Sequence, residues 1–186
     1  MIVYLHGFNS SPASSKAQVM KRYMESKGLA QHYACPALPD TPEEAVAAIE
    51  RSIAGHDPRA VTLLGSSLGG YYATHFVETR GCRAVLINPA ITPHIGLEAY
   101  LGTQKNLHTG EPYELTRAHL EGWRKLLVER VDPEKYLLLL ETGDEVLDWR
   151  EAARKYEGAR MVIRQGGDHS LRCFPEMIPR ILDFSG

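Results

Sequence analysis

The stretch Val61-Thr62-Leu63-Leu64-Gly65-Ser66-Ser67-Leu68-Gly69-Gly70-Tyr71 decides the reading of this chain. Its apolar start, Val61 to Leu64, reads as a strand. A turn follows with the pattern Gly-x-Ser-x-Gly at Gly65, Ser67 and Gly69, and Gly70 to about Thr79 reads as a helix. Strand, sharp serine-bearing turn and helix make the nucleophile-elbow context, in which the turn lifts the hydroxyl clear of the sheet edge. That turn leaves room only for very small residues two before and two after the serine. The rule selects Ser67 over Ser66, whose flanks at those spacings are Leu64 and Leu68.

The same alternation extends in both directions. Upstream, Ile2 to Leu5 is a strand, His6 to Pro12 a loop, and Ala13 to Lys27 a helix. That helix has Ser11 as cap, Pro12 in its first turn and Gly28 as stop. His32 to Cys35 is a second strand, and Pro42 to about Ala54 a helix opened by Thr41. Downstream, Ala84 to Ile87 is the fourth strand, Tyr136 to Leu140 the fifth and Arg160 to Arg164 the sixth. Helices are expected over Asp148 to Tyr156 and Pro175 to Phe184. Apolar strands alternating with helices predict an α/β fold, a parallel sheet covered on both faces as a three-layer sandwich. The 186 residues suit a single domain, residues 1–186. Between the fourth and fifth strands, Ala90 to Lys135 reads as a lid-like insertion. Its first part is a loop rich in Gly, Thr and Pro, and a helix follows from Thr116 to Val131.

Composition narrows the class. Net charge is −2, with 44% apolar and 24% charged residues, which argues against a nucleic-acid partner. No apolar run approaches the ~20 residues of a membrane span. No secretory leader is apparent at the N-terminus, and the three cysteines, Cys35, Cys82 and Cys173, form neither a disulfide framework nor a metal knuckle. A reducing cytoplasm is the expected location.

A serine hydroxyl becomes a useful nucleophile only beside a base, itself oriented by an acid. The order Ser, Asp, His is one in which such relays are built. Asp144 follows the fifth strand and His169 the sixth, so both share the sheet edge of Ser67. Asp148 reads instead as a helix cap, Glu145 sits further from the strand, and Asp168 adjoins His169 and points away from it. Of the other histidines, His6 and His75 read as structural, and His94, His108 and His119 as exposed residues of the insertion. The backbone N–H of Leu68 and that of Phe8 are the candidate oxyanion donors. No HExxH or similar spacing marks a metal site, and no cofactor is called for.

Together, His6-Gly7-Phe8, Gly65-Ser66-Ser67-Leu68-Gly69, Gly143-Asp144 and Gly167-Asp168-His169 resemble an α/β-hydrolase over nearly the whole chain. More narrowly, Tyr4 to Ser11, Gly65 to Ala73 and Asn88-Pro89-Ala90 resemble the small bacterial YqiA-like esterases. The resemblance implies a cytoplasmic esterase or thioesterase with Ser67, Asp144 and His169 as triad. Relative to the full fold, the chain opens at what would be the family's third strand, leaving a six-stranded parallel core. The substrate expected is a small acyl compound with a short chain, coenzyme A thioesters among them. The insertion's helix, with Leu120 and Trp123 on its apolar side, is expected to roof the pocket, Trp123 touching substrate. Its Arg117, Arg124 and Lys125 read as a solvated face.

Overall fold

A computed structural model describes all 186 residues. Six parallel strands form the central sheet: β1 (Ile2–Leu5), β2 (Tyr33–Ala34), β3 (Thr62–Ser66), β4 (Arg83–Ile87), β7 (Tyr136–Glu141) and β8 (Arg160–Arg164), in the order β2-β1-β3-β4-β7-β8. The helices are α1 (Ser15–Ser26), α2 (Pro42–Ile53), α3 (Leu68–Arg80), α4 (Pro93–Gly96), α5 (Arg117–Lys125), α6 (Trp149–Lys155) and α7 (Phe174–Ser185).

Period-two alternation splits the strands between two cores. Val3, Leu5, Leu63, Ala84, Leu86, Leu138 and Leu140 face one core, which they share with residues of α2, α3, α5 and α6. Ile2, Tyr4, Leu64, Val85, Ile87, Leu137 and Leu139 face the other, against α1 and α7. This is the expected three-layer sandwich, and it explains why the strands read as continuous apolar runs.

The strand order reverses between β1 and β3, because the chain first steps outward to β2 and then returns to the other side of β1. At such a reversal the connecting loops diverge and open a crevice at the carboxyl ends of the strands. The loop after β1 carries His6-Gly7-Phe8 and the turn after β3 carries Ser67.

The structure corrects three details of the sequence reading. Helix α1 begins at Ser15 rather than Ala13: Ser11 Oγ accepts the Ala13 N–H (3.0 Å), so Ser11 and Pro12 close a turn ahead of the helix. The first part of the 90–135 segment is not all loop. It folds as an antiparallel hairpin of β5 (Gly102–Lys105) and β6 (Pro112–Leu115). These strands alternate exposed with half-buried or buried residues and lack an apolar run, which hid them from pattern reading. Helix α5 stops at Lys125 instead of Val131. Leu126, Leu127 and Val131 continue as irregular chain against the core, and Lys155 Nζ caps the Val128 carbonyl (2.6 Å).

The β3–α3 turn allows no side chains at its glycines. A Cβ on Gly69 would overlap the carbonyl oxygen of Leu5 at the end of β1, and one on Gly65 would overlap the backbone of Gly69. Both obstacles are main chain and cannot rotate aside. Gly69→Ala is therefore expected to cost about 3 kcal/mol or more, read as a large loss of urea midpoint. Gly28→Ala, whose Cβ meets nothing within 4 Å, strains only its φ of +70° and is expected to cost about 1 kcal/mol.

Candidate active site

Ser67 sits at the sheet edge with φ +53° and ψ −119°, a region non-glycine residues rarely occupy. Three backbone bonds hold it there: Ser67 N–H donates to the Ile87 carbonyl (3.0 Å), and the Ser67 carbonyl accepts from Gly70 (2.9 Å) and Ala90 (3.1 Å). The strain is thus imposed by the ends of β3 and β4 together.

Asp144, in the loop after β7, has a side chain only 1% exposed. Its Oδ1 accepts the N–H groups of Val146 (2.8 Å) and Leu147 (2.9 Å), and its Oδ2 accepts from His169 Nδ1 at 2.8 Å. Burial alone would raise this carboxyl. The bond to His169 and the two backbone donors outweigh it and hold Asp144 below the ordinary carboxylate value. Since the carboxylate accepts, the imidazole proton lies on Nδ1 and Nε2 is left with its lone pair.

The rival carboxylates are engaged elsewhere. Asp148 Oδ1 caps α6 through the Arg150 N–H (3.0 Å). Asp168 accepts from the Ser170 N–H (2.9 Å) and pairs with Arg172 Nε (2.6 Å). Glu145 accepts the backbone N–H of His169 (3.0 Å) and so steadies the loop rather than the ring. Among the histidines, His6 is buried and fully bonded, Nδ1–H to the Gly7 carbonyl (3.1 Å) and Nε2 from the Leu38 N–H (3.0 Å). His119 is buried instead of exposed, closing a capping box with Thr116 at the start of α5.

Gly7 packs directly on the serine. A Cβ built there would lie 3.3 Å from Ser67 Cβ and 3.8 Å from Ser67 Oγ. The next amide, Phe8 N–H, and the first amide of α3, Leu68 N–H, donate to no acceptor within the protein. Leu68 N–H is free because it opens a helix. Phe8 and Leu68 both line the cavity that holds Ser67.

Ser67 and His169 line one cavity of about 890 Å³, with Gly7, Phe8 and Leu68 also in its wall. Its apolar wall includes Ile91, Ile95, Leu97, Tyr100 and Leu107, all from the first half of the 90–135 segment. Ile95, Tyr100, Leu107 and Val146 are exposed large apolar side chains gathered at this one cavity. The volume is larger than the sequence led us to expect. The wall is built by residues 90–108, whereas helix α5 lies elsewhere. Trp123 is 1% exposed, locked in the core by its Nε1–H bond to Tyr72 Oη (2.7 Å), and does not line this cavity. Arg117 and Arg124 pair with Glu98 (3.5 Å) and Glu121 (3.6 Å) in solvent. No three His, Cys, Asp or Glu side chains come together in a metal-holding group.

Two asparagines escaped the sequence reading as site residues. Asn88 ends β4 with φ +39° and is 3% exposed. Its Nδ2 donates to the carbonyls of Asp168 (3.3 Å) and His169 (3.2 Å), and its Oδ1 accepts the Glu141 N–H (3.1 Å). One side chain thereby ties the His169 loop to β7, just before the loop of Asp144. Asn9, φ +53°, accepts from Tyr113 Oη (2.7 Å), donates to Gln104 Oε1 (3.2 Å) and offers its carbonyl to the Leu107 N–H (2.8 Å). It staples the β5–β6 hairpin to the loop of Phe8. For Asn88 the available signal was an asparagine directly after an apolar strand, the residue most tolerant of positive φ after glycine.

Asn88→Gly keeps the backbone conformation and removes all three side-chain bonds. Reactivity of Ser67 toward a fluorophosphonate is expected to fall on the order of 10²-fold as the His169 loop loses its register, with thermal unfolding still cooperative. Unchanged reactivity would leave Asn88 a merely structural tie.

Solved structures share the fold. A putative hydrolase from Agrobacterium vitis S4 superposes with TM-score 0.72 at 19% identity, covering 99% of this chain and 87% of that one. Mouse alpha/beta hydrolase domain-containing protein 10 gives 0.74 at 16% identity, over 98% and 87%. A Paleococcus ferrophilus monoacylglycerol lipase gives 0.69 at 17% identity, over 99% and 93%. At these identities the likeness establishes the α/β-hydrolase fold. A family model matches residues 1–186 from end to end, and the chain belongs to that family, UPF0227, an uncharacterised protein family that is YqiA-like.

Proposed function

We propose that this chain is a serine hydrolase that cleaves acyl esters or thioesters of small molecules through an acyl-enzyme, acting in the cytoplasm. The observation that carries the reading is the Asp144–His169 pair at 2.8 Å, its ring in the wall of the cavity that also holds strained Ser67. Two free amides beside the serine support it.

In the first half-reaction Ser67 Oγ attacks the acyl carbonyl carbon while His169 Nε2 takes its proton. Charge gathers on the former carbonyl oxygen, and the Phe8 and Leu68 amides donate to it. Asp144 keeps the proton on Nδ1 and stabilises the imidazolium. Collapse breaks the bond to the leaving group, which departs as alcohol or thiol with the proton from His169. Water repeats the sequence on the acyl-enzyme, and the carboxylic acid leaves. A cavity of about 890 Å³ belongs to the range that takes whole small molecules, so the acid need not be confined to a few carbons. Residues 90–135 act as the cover of the site. Their hairpin is stapled to Asn9 through Gln104, Leu107 and Tyr113, so the first part of the segment, which lines the cavity, works as a fixed wall.

A second reading is a non-catalytic relative that binds a ligand or partner, and a third is a hydrolase of amide or carbon–carbon bonds. Stoichiometric labelling of Ser67 by a fluorophosphonate, with turnover of a simple aryl ester, supports the first reading against the second. Turnover of amide or β-diketone substrates in preference to esters would favour the third.

Ser67→Ala is expected to lose on the order of 10³-fold or more in kcat on such an ester while melting as the parent does. Retained turnover would remove Ser67 from the mechanism. Asp144→Asn is expected to lose on the order of 10²- to 10⁴-fold through the wrong histidine tautomer. Asp148→Asn should stay near the parent rate, since asparagine also caps helices. The reverse ranking would make Asp148 the acid.

The pH profile follows from the same pair. His169 must be neutral to accept a proton, so kcat/KM should fall on the acid side of neutrality. Asp144, held below the ordinary carboxylate value, stays charged throughout that fall and adds no second inflection there. Its own contribution disappears only at lower pH, when the carboxyl itself takes a proton. A profile flat down to about pH 5 would exclude a histidine base.

A further inference from the structure

A second cavity, of about 570 Å³, adjoins the first. The two share Gly7, Phe8, Ser10 and Leu68 as a partition, so the oxyanion loop and the residue after the nucleophile face both. Gly7 is also the residue packed against Ser67 Oγ. A substrate whose carbonyl sits at Ser67 therefore has two directions open to it.

The chemistry of the two differs. Of the aromatic side chains at the second cavity, Phe8 and Tyr113 are half-buried and present surface to it, whereas Tyr72 and Trp123 are buried behind them. Three of these have polar handles, all occupied within the protein. Trp123 Nε1–H donates to Tyr72 Oη (2.7 Å), and Tyr113 Oη–H donates to Asn9 Oδ1 (2.7 Å). Aromatic surface is left for a ligand on Phe8 and Tyr113. Two exposed carboxylates, Asp40 and Glu111, also belong to the lining, and neither lysine nor arginine does. His6, the one histidine in contact with it, is kept neutral, and the phenols of Tyr72 and Tyr113 are pushed above the ordinary tyrosine value by burial. Burial pushes the His6 pKa below the ordinary histidine value, and both ring nitrogens are already bonded. The cations near the site, Lys16 and Arg172, line the first cavity instead.

Behind this wall stands His119. Its Nδ1 accepts the Thr116 N–H (3.1 Å), which places the proton on Nε2. That Nε2 is buried, has no hydrogen-bond partner, and points at Asp40 Oδ2 from 3.7 Å. A neutral N–H dipole thus backs the Asp40 carboxylate without cancelling its charge. Carboxylates beside ring surfaces attract an ammonium group through both its charge and the ring quadrupole. The same lining repels a phosphate, as on a coenzyme A leaving group.

We propose that the second cavity is a subsite for a positively charged group, an amine or quaternary ammonium, carried on the leaving-group side of the substrate. The inference rests on the serine-hydrolase reading for its position in the reaction, and on the cavity lining alone for its charge.

Two esters of one acid separate charge from shape: butyrylcholine and its uncharged carbon isostere, 3,3-dimethylbutyl butyrate. At low ionic strength kcat/KM for the choline ester is expected to exceed that of the isostere by about 5-fold or more. The ratio should fall as salt is added. In Asp40→Asn/Glu111→Gln it should drop to near unity. Taking the ratio within each protein cancels any general loss of activity. Choline itself is expected to bind Ser67→Ala in calorimetry, and to lose that binding when the two carboxylates are also replaced. A ratio at or below one in the parent protein, or a preference that survives the double substitution, overturns the subsite. Turnover of the neutral ester under either result leaves the hydrolase reading standing. Carboxylate-dependent choline binding without turnover of either ester keeps the cation subsite and overturns the hydrolase reading.

Discussion

The site depends on one close approach, that of the Gly69 backbone to the carbonyl of Leu5 at the end of β1. Strand β3 must deliver a serine above the sheet and turn at once into α3, and it must do so beside β1 because the strand order reverses there. Only bare backbone fits. With the turn seated, Ser67 takes φ +53° and Gly7 lies against it. The seating of the proposed nucleophile thus rests on main-chain packing, which side-chain motion cannot relax.

The other half of the site is held by a different device. The loops of Asp144 and His169 follow β7 and β8, and short polar ties keep them in register. Asn88 spans from β4 to both. Glu141, buried at the end of β7, accepts the Asp168 N–H (2.8 Å), and Gly167 carries no side chain where that carboxylate lies against it. Such ties cost conformational entropy and contribute modest net stability. Their effect is positional: they set where the imidazole stands relative to the turn after β3.

Two cavities of different lining meet at one loop. The apolar wall built by residues 90–108 suits a carbon-rich group, whereas the acidic, aromatic wall near β6 suits a group of positive charge. Asn9 connects the two functions, since it fixes both the hairpin that shapes the second wall and the loop that carries the Phe8 amide.

By itself the sequence determined the layers and pointed to the candidate site residues. Strand and helix periods are local, and Gly65-Ser66-Ser67-Leu68-Gly69 reports its backbone constraint in the letters themselves. Asp144 and His169 could be found because each directly follows a strand whose apolar run is plain. Tertiary structure decided what rests on pairs distant in the chain. The partners of Asn88 lie 53 to 81 residues away, and those of Asn9 about 95 to 104 away. No local pattern encodes such distances. The same holds for the hairpin, whose strands are stabilised by the loop they cover rather than by an apolar face of their own. Trp123 shows the limit most plainly: an apolar stripe on a helix says that one side is buried, but only packing decides whether it is buried against a substrate or against Tyr72.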